Sequence, residues 1–466
     1  MKEIKRKKRI KDLLARNQSK IIIPLSFLFM IAIGTILLSL PVSTRSGEGA
    51  PFVTAIFTAT TSVCVTGTTV VDTFSYWSLF GKIIILLLIQ VGGLGIISFI
   101  LLVFLMKGKN VTLREGLLLR DVYNVDAVSG VETLMMRVFF WTFFVEFIGM
   151  LAYLPAFLPR FGVLRGIWYS LFNSVSAFCN AGIDIMGPDS LMGFSGDYYV
   201  MSVTMILIIT GGIGYIVLLN MHARMNIKNL MHHRKHEYVR LTEHTKLVLY
   251  ATVTLIVLGT LYFLMSEWDN PGTIGNMSLP DKIMNSLFQS VTLRTAGFTT
   301  IPQQSLHNNS ALMGVILMFI GGSPMGTAGG IKTVTFFILL TNIYSFVLNK
   351  GETVIFGRRV TAEAVRKATA IAMVHLFFLV VFSLWLMGID TKATFIDVLY
   401  EVASATSTVG VSRGFVLTLP DISRLVLVLA MYLGRIGPIA MLFFFNANKG
   451  DDNSGITTAE GRFIVG

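Results

Sequence analysis

Four stretches of this sequence end in small polar residues and a glycine: Thr58-Ala-Thr-Thr-Ser-Val-Cys-Val-Thr-Gly67, Asn173-Ser-Val-Ser-Ala-Phe-Cys-Asn-Ala-Gly182, Gln289-Ser-Val-Thr-Leu-Arg-Thr-Ala-Gly297 and Ser404-Ala-Thr-Ser-Thr-Val-Gly410. The glycines lie 115, 115 and 113 residues apart (67 to 182, 182 to 297, 297 to 410), an internal period that marks repeated architecture. Each stretch is too short and too polar to cross a bilayer, and apolar runs precede and follow it. The chemistry available to such a stretch lies in its backbone. A short helix re-entering a membrane points its negative C-terminal end at the membrane centre, which favours a cation there. The glycine lets the following chain aim carbonyl oxygens inward, and four such turns around one axis would line a cation filter. Taken singly, each stretch reads as a small-residue packing turn; four in register favour the filter.

The other chemically capable side chains are few. Lys332 and Arg435 lie within apolar runs, where an ionisable residue is costly and marks function by default. Lys332 reads equally as a side chain snorkelling to the membrane boundary. Glu146 and Glu401 read as hydrogen-bonding groups rather than ion ligands. His232 and His236 form an i, i+4 pair that could hold zinc, but the intervening Arg234 and Lys235 favour a solvated face or docking surface. Cys64 and Cys179 each stand three residues before a glycine of the repeat and read as small packing residues rather than a disulfide. There is no HExxH, no intramembrane aspartate pair, no phosphate loop and no GxGxxG, so no enzymatic constellation is present and any nucleotide control must come from a partner.

A soluble fold cannot accommodate this chain. Of 466 residues, 53% are hydrophobic and 14% charged, with a mean hydropathy of +0.70, whereas a soluble domain is about one-quarter charged. Apolar runs near 21–40, 78–106, 134–158, 197–221, 247–266, 309–346, 369–388 and 421–446 supply eight spans, each long enough for a hydrocarbon core of roughly 30 Å. The first follows nine Lys and Arg residues in 1–20 and has no small-residue cleavage site, so it reads as an uncleaved helix. With both ends on one side, the inside segments hold 26 of the 38 Lys and Arg residues. That excess predicts cytoplasmic termini and accounts for the net charge of +12 without nucleic acid. The sixth span cannot be one helix. Gly321, Gly322, Pro324, Gly326, Gly329 and Gly330 fall within ten residues, and interior Gly costs about 1 kcal/mol and Pro about 3. More than a proline kink is expected between 321 and 332.

This pattern resembles the Trk/Ktr/HKT superfamily of potassium transporters. The likeness is carried by Phe57-Thr-Ala-Thr-Thr-Ser-Val-Cys-Val-Thr-Gly67, Ser290-Val-Thr-Leu-Arg-Thr-Ala-Gly-Phe298, Glu401-Val-Ala-Ser-Ala-Thr-Ser-Thr-Val-Gly410 and, most specifically, Gly321-Gly-Ser-Pro-Met-Gly-Thr-Ala-Gly-Gly-Ile-Lys332. Eight spans without an extra helix pair before the first unit are similar to the bacterial Ktr branch rather than the longer Trk type. The resemblance implies an all-α membrane protein of eight transmembrane helices, in four span–pore helix–span repeats around one pseudo-fourfold pore. The repeats fall at 21–120, 121–237, 238–357 (with the broken second span) and 358–446, between cytoplasmic tails at 1–20 and 447–466. It places the ion filter at Val65-Thr66-Gly67, Asn180-Ala181-Gly182, Thr295-Ala296-Gly297 and Thr408-Val409-Gly410, whose carbonyls would replace the water around potassium. It makes Gly326, Thr327, Ala328, Gly329 and Gly330, with Lys332, an intramembrane gate facing Arg435.

One glycine per unit, where a tetrameric potassium channel presents Thr-Val-Gly-Tyr-Gly, predicts weaker discrimination. The implied function is potassium uptake at the inner (plasma) membrane, with potassium as substrate, sodium as a second candidate ion and no organic cofactor. The implied partners are a second copy, forming a homodimer, and a cytosolic nucleotide-binding regulatory ring docking on 107–133, 222–246 and 347–368. The rival reading is an ion-coupled secondary transporter (sodium/potassium symport). Its repeats would often be inverted, whereas all four here begin from the same side.

Overall fold

The computed structural model describes residues 18–95, 99, 131–225, 241–389 and 393–437. Four helices among these are long and apolar enough to cross a membrane: α1 (Gln18–Ser39), α4 (Val131–Phe161), α8 (Glu243–Ser266) and α12 (Ala362–Ile389). Each opens a repeat and is followed by a short helix: α2 (Phe52–Val63), α5 (Val163–Cys179), α9 (Leu279–Thr292) and α13 (Phe395–Thr406). The short helices are rich in Ser and Thr, which are indifferent helix formers. They are helical because buried backbone at membrane depth must satisfy its own hydrogen bonds. Side chains start two of them: Ser278 Oγ accepts from Asp281 N, and Thr394 Oγ1 from Asp397 N, as at a helix N-terminus with an acidic third residue.

The second half of each repeat is built from shorter pieces: α3 (Leu79–Leu94), α6 (Tyr198–Gly212) with α7 (Tyr215–Met225), α10 (Asn308–Phe319) with α11 (Thr333–Val347), and α14 (Asp421–Ile436). The sequence predicts a break only between 321 and 332. That break is present, but α6 and α7 are also bent by 101°. Helices α3 and α14 stop at Gly95 and Gly437, and Gly214 and Gly330 stand at the other two breaks, all four with φ between +63° and +94°. The bend between α6 and α7 is therefore a second break, beyond the one expected.

A glycine pair explains three of the breaks. In Gly92-Gly-Leu-Gly95, Gly211-Gly-Ile-Gly214 and Gly434-Arg-Ile-Gly437 the first glycine lies so close to a short-helix carbonyl that a Cβ would overlap it. The carbonyls are those of Val63, Phe178 and Thr406. The second glycine takes a left-handed turn that L-residues resist. Gly211→Ala is accordingly expected to destabilise by about 1–3 kcal/mol, the scale of overpacking a filled site. Gly193→Ala, with open space around it, should be silent. Thermal unfolding of the two purified variants compares them directly.

Packing closes the repeats on themselves. Each long helix lies on the short helix of its own repeat, α1 on α2, α4 on α5, α8 on α9 and α12 on α13. Each following helix lies on the short helix of the next repeat: α3 on α5, α6 on α9, α10 on α13, and α14 back on α2. Large side chains of the short helices and of the turn after α9, including Phe57, Phe172, Phe178, Phe288, Phe298 and Tyr400, are buried in one continuous apolar core. Past α11 the segment 347–368 carries a two-residue hairpin, Val354–Ile355 against Arg358–Arg359. It turns at Phe356 and Gly357, both with positive φ, as a two-residue primed turn requires.

Candidate ion filter and gate

The chain after each short helix bends in the same way. Val65, Asn180, Thr295 and Thr408 all adopt left-handed φ, at 54°, 59°, 69° and 51°. The next amide then turns back to its own short helix: Thr66 N donates to Thr61 O, Ala181 N to Ser176 O, Ala296 N to Thr292 O and Val409 N to Ser404 O, each at 2.8 Å. Hydroxyls secure the glycine step. Thr61 Oγ1 and Ser404 Oγ accept from Gly67 N and Gly410 N at 2.9 and 3.0 Å. Ser176 Oγ and Thr292 Oγ1 instead donate to the carbonyls of Ile183 and Phe298, at 2.5 and 2.6 Å.

With the N–H groups held outward, the carbonyls are left over. Among the described residues no hydrogen bond ends on the carbonyls of Val65, Thr66, Asn180, Ala181, Thr295, Ala296, Thr408 or Val409, although these residues are at most 1% exposed. Buried carbonyls are normally paired. Their arrangement is cyclic. A Cβ on Gly67 would run into Ala181 O, one on Gly182 into Ala296 O at 2.6 Å, one on Gly297 into Val409 O at 2.5 Å, and one on Gly410 into Thr66 O. The four glycines and the carbonyls of the residues before them thus meet at one place, where the C-terminal, negative ends of four short helices converge.

The broken segment between α10 and α11 lies directly against this ring. Its neck is stitched by Gly321 N to Ile331 O (3.0 Å) and Ile331 N to Phe319 O (3.1 Å). Its tip is lashed to the α6–α7 bend by Ser323 N to Gly212 O, Thr327 N to Gly211 O and Tyr215 N to Met325 O, at 2.9, 3.1 and 3.1 Å. Three contacts reach the ring. Thr327 Oγ1 donates to Phe178 O at 3.1 Å, Gly329 N donates to Thr295 Oγ1 at 3.0 Å, and a Cβ on Gly329 would strike Thr408 Oγ1. Lys332 Nζ donates to Ala328 O at 2.6 Å, so its ammonium folds into the loop rather than snorkelling away from it. Arg435 spans two elements, with Nη1 on Thr327 O and Nη2 on Gly92 O, both at 2.7 Å. The loop touches repeats two, three and four itself, and the first through Arg435.

The remaining polar residues are structural. Glu146 accepts from Gln90 Nε2 at 3.0 Å, and both cysteines are buried free thiols. Glu401 is bound by Ser412 Oγ and by Arg413 N, while Arg413 pairs with Asp397 at 2.7 Å. The His232–His236 cluster lies outside the described residues.

Two residues near the ring escaped the sequence reading. His375 Nε2 lies 3.1 Å from Ser407 Oγ. Arg294, 8% exposed, has an Nε with no partner among the described residues and lines a cavity of about 10 Å³ with Thr252, Gly212 and Gly322. Arg294 carried a signal, a charge three residues before Gly297 inside the repeat motif; His375 carried none.

Known proteins share this sequence and this fold. The family model TrkH, described as cation transport protein, matches residues 3–454. Ktr system potassium uptake protein B of Bacillus subtilis is 35% identical over 445 residues, covering 96% of each chain. Potassium/sodium uptake protein NtpJ of Enterococcus hirae is 35% identical over 452 residues, covering 96% of this chain and 97% of its own. The crystal structure of the potassium transporter TrkH from Vibrio parahaemolyticus superposes with a TM-score of 0.69 over 90% of this chain and 84% of its own. At 18% identity that likeness is one of fold. The match over residues 3–454 and the 35% identity to both relatives settle the family: this chain is a member of the TrkH family of cation transport proteins.

Proposed function

We propose that this chain takes up potassium across the cell membrane through one channel-like pore along the axis of the ring. The observation that carries the reading is the ring of buried carbonyls that accept no hydrogen bond among the described residues, at the convergence of four helix C-termini. A cation there exchanges its water for carbonyl oxygens already oriented by the amide pairs behind them, so little reorganisation is needed. The loop from 321 to 332 obstructs the path on the far side of the ring, and Arg435 adds a positive charge beside it. Ions then move down their electrochemical gradient whenever the loop moves aside. Both termini face the cytoplasm in this reading, the assembly is a homodimer, and a cytosolic nucleotide-binding ring sets the position of the loop.

Sodium belongs in the test, because one relative is named for both ions. Purified protein in liposomes should pass potassium and rubidium faster than sodium, with flux rising in proportion to the driving force. Potassium flux that stops without a sodium gradient, at a fixed ratio of the two ions, would replace the channel reading with sodium/potassium symport.

A further inference from the structure

On the side of the ring from which the short helices start, a cavity of about 400 Å³ opens between the first and second repeats. Arg45, Lys82 and Arg165 line it together with Phe74, Trp168 and Leu79. We infer that this pocket binds the phosphodiester headgroup of an anionic membrane lipid, whose acyl chains run down the outer faces of α3 and α5. The inference needs only the bilayer placement of the chain, not its ion selectivity.

The three charges outnumber the one carboxylate near them, Asp72, which acts on Lys82 without forming an ion pair. Lys82 is 6% exposed, donates to Phe74 O at 2.7 Å, and lies 5.0 Å from the centre of the Phe74 ring. The Arg45 guanidinium lies 5.3 Å from the same ring. Among the described residues no ion pair includes Arg45, Lys82 or Arg165. The nearby carboxylate, Asp72, is occupied: it accepts from Phe74 N at 3.0 Å, Ser75 N at 3.1 Å and Ser75 Oγ at 2.5 Å. Three cations and one carboxylate leave a net positive recess at a membrane boundary, and an anion with several acceptor oxygens relieves it. Arginine forks match phosphate oxygens in pairs.

A free phosphate would satisfy the charges but not the rim. Leu79 is 61% exposed, and Ile83 and Leu87 below it on α3 are 38% and 55% exposed. At four-residue intervals this row descends about 12 Å from the pocket. Leu164 and Ile167 on α5, 86% and 42% exposed, form a second apolar rail beside Trp168. A headgroup with two tails fits both features. Such a lipid also clamps α3 to α5, one of the four contacts that close the ring.

The test uses the full-length purified protein, with retained lipid counted by native mass spectrometry after exchange in mixed phosphatidylglycerol and phosphatidylcholine. Phosphatidylglycerol should be retained in preference. Replacing Arg45, Lys82 and Arg165 with Gln should lower its retention about a hundredfold, at roughly fivefold per charge. Because Lys82 is buried, the pair Arg45→Gln and Arg165→Gln provides a second variant at exposed positions, with an expected loss of roughly 25-fold on the same scale. Arg424→Gln, on the same side but outside the pocket, should retain lipid as the parent does. Equal retention of the two lipids, or undiminished phosphatidylglycerol on the double variant, would overturn the proposal. So would inorganic phosphate protecting the protein from heat as well as phosphatidylglycerol does.

Discussion

Serine in place of any one of Gly67, Gly182, Gly297 or Gly410 should cost most of the potassium preference, with at least a tenfold fall in the potassium-to-sodium flux ratio. Two costs add at each position. The backbone stands at φ +105°, +64°, +89° and +97° respectively, and a residue with a Cβ pays about 1–3 kcal/mol to remain there. The Cβ also collides with a carbonyl of the neighbouring repeat, so the damage passes to the next unit around the ring. Because a factor of ten is about 1.4 kcal/mol, the two costs together are large enough to see. Gly182 should suffer least from the backbone, since its φ lies where L-residues are sometimes found, yet its Cβ would still meet Ala296 O at 2.6 Å. Rubidium and sodium uptake by each variant in liposomes reads the ratio. Three of the four variants with unchanged uptake and selectivity would show that the four loops do not share one filter.

The gate carries the second large effect. Deleting residues 325–330 should raise potassium flux, because it removes the segment lying against Phe178, Thr295 and Thr408 while leaving the ring's own amide pairs in place. Arg435→Ala should also raise flux. A guanidinium about 6 Å from a passing cation opposes it by nearly 3 kcal/mol at an effective dielectric of 20, or about a hundredfold in rate. The two bonds at 2.7 Å from Arg435 to Thr327 O and Gly92 O give Arg435 a second role, since hydrogen bonds to a charged group contribute about 1.5–3 kcal/mol each. Arg435→Lys separates the two. It keeps the charge, but a single ammonium on a flexible stem does not reproduce a rigid fork reaching two carbonyls. If charge sets the barrier, Lys preserves low flux and Ala raises it; if the tie alone matters, both variants lose thermal stability together. Arg435→Ala protein as stable as the parent and of the same size, with unchanged or slower flux, would sink the electrostatic gate.

The glycine period and the small residues before it located the four turns, because a repeated unit must repeat its punctuation. The density of glycine between 321 and 330 marked a broken span, since no helix tolerates so many breakers. Lys332 and Arg435 stood out because charge in an apolar run is conspicuous in one dimension. Their partners were not legible. Arg435 reaches Gly92 across 343 residues, and Gln90 reaches Glu146 across 56; no local pattern encodes which helices become neighbours.

The bend between α6 and α7 and the stops at Gly95 and Gly437 were hidden for another reason. A hydropathy window registers a glycine pair as mildly apolar, while the departure from helix depends on φ and on how closely another backbone approaches. That approach exists only once α2, α5 and α13 lie beneath Gly92, Gly211 and Gly434. The order of the repeats around the ring, closed by α14 on α2, is likewise a tertiary result. The sequence determined what each repeat contains; the packing of each following helix on the next repeat's short helix decided which carbonyls face which glycines. A ring is a relation among four segments more than a hundred residues apart, and only the folded chain sets their distances.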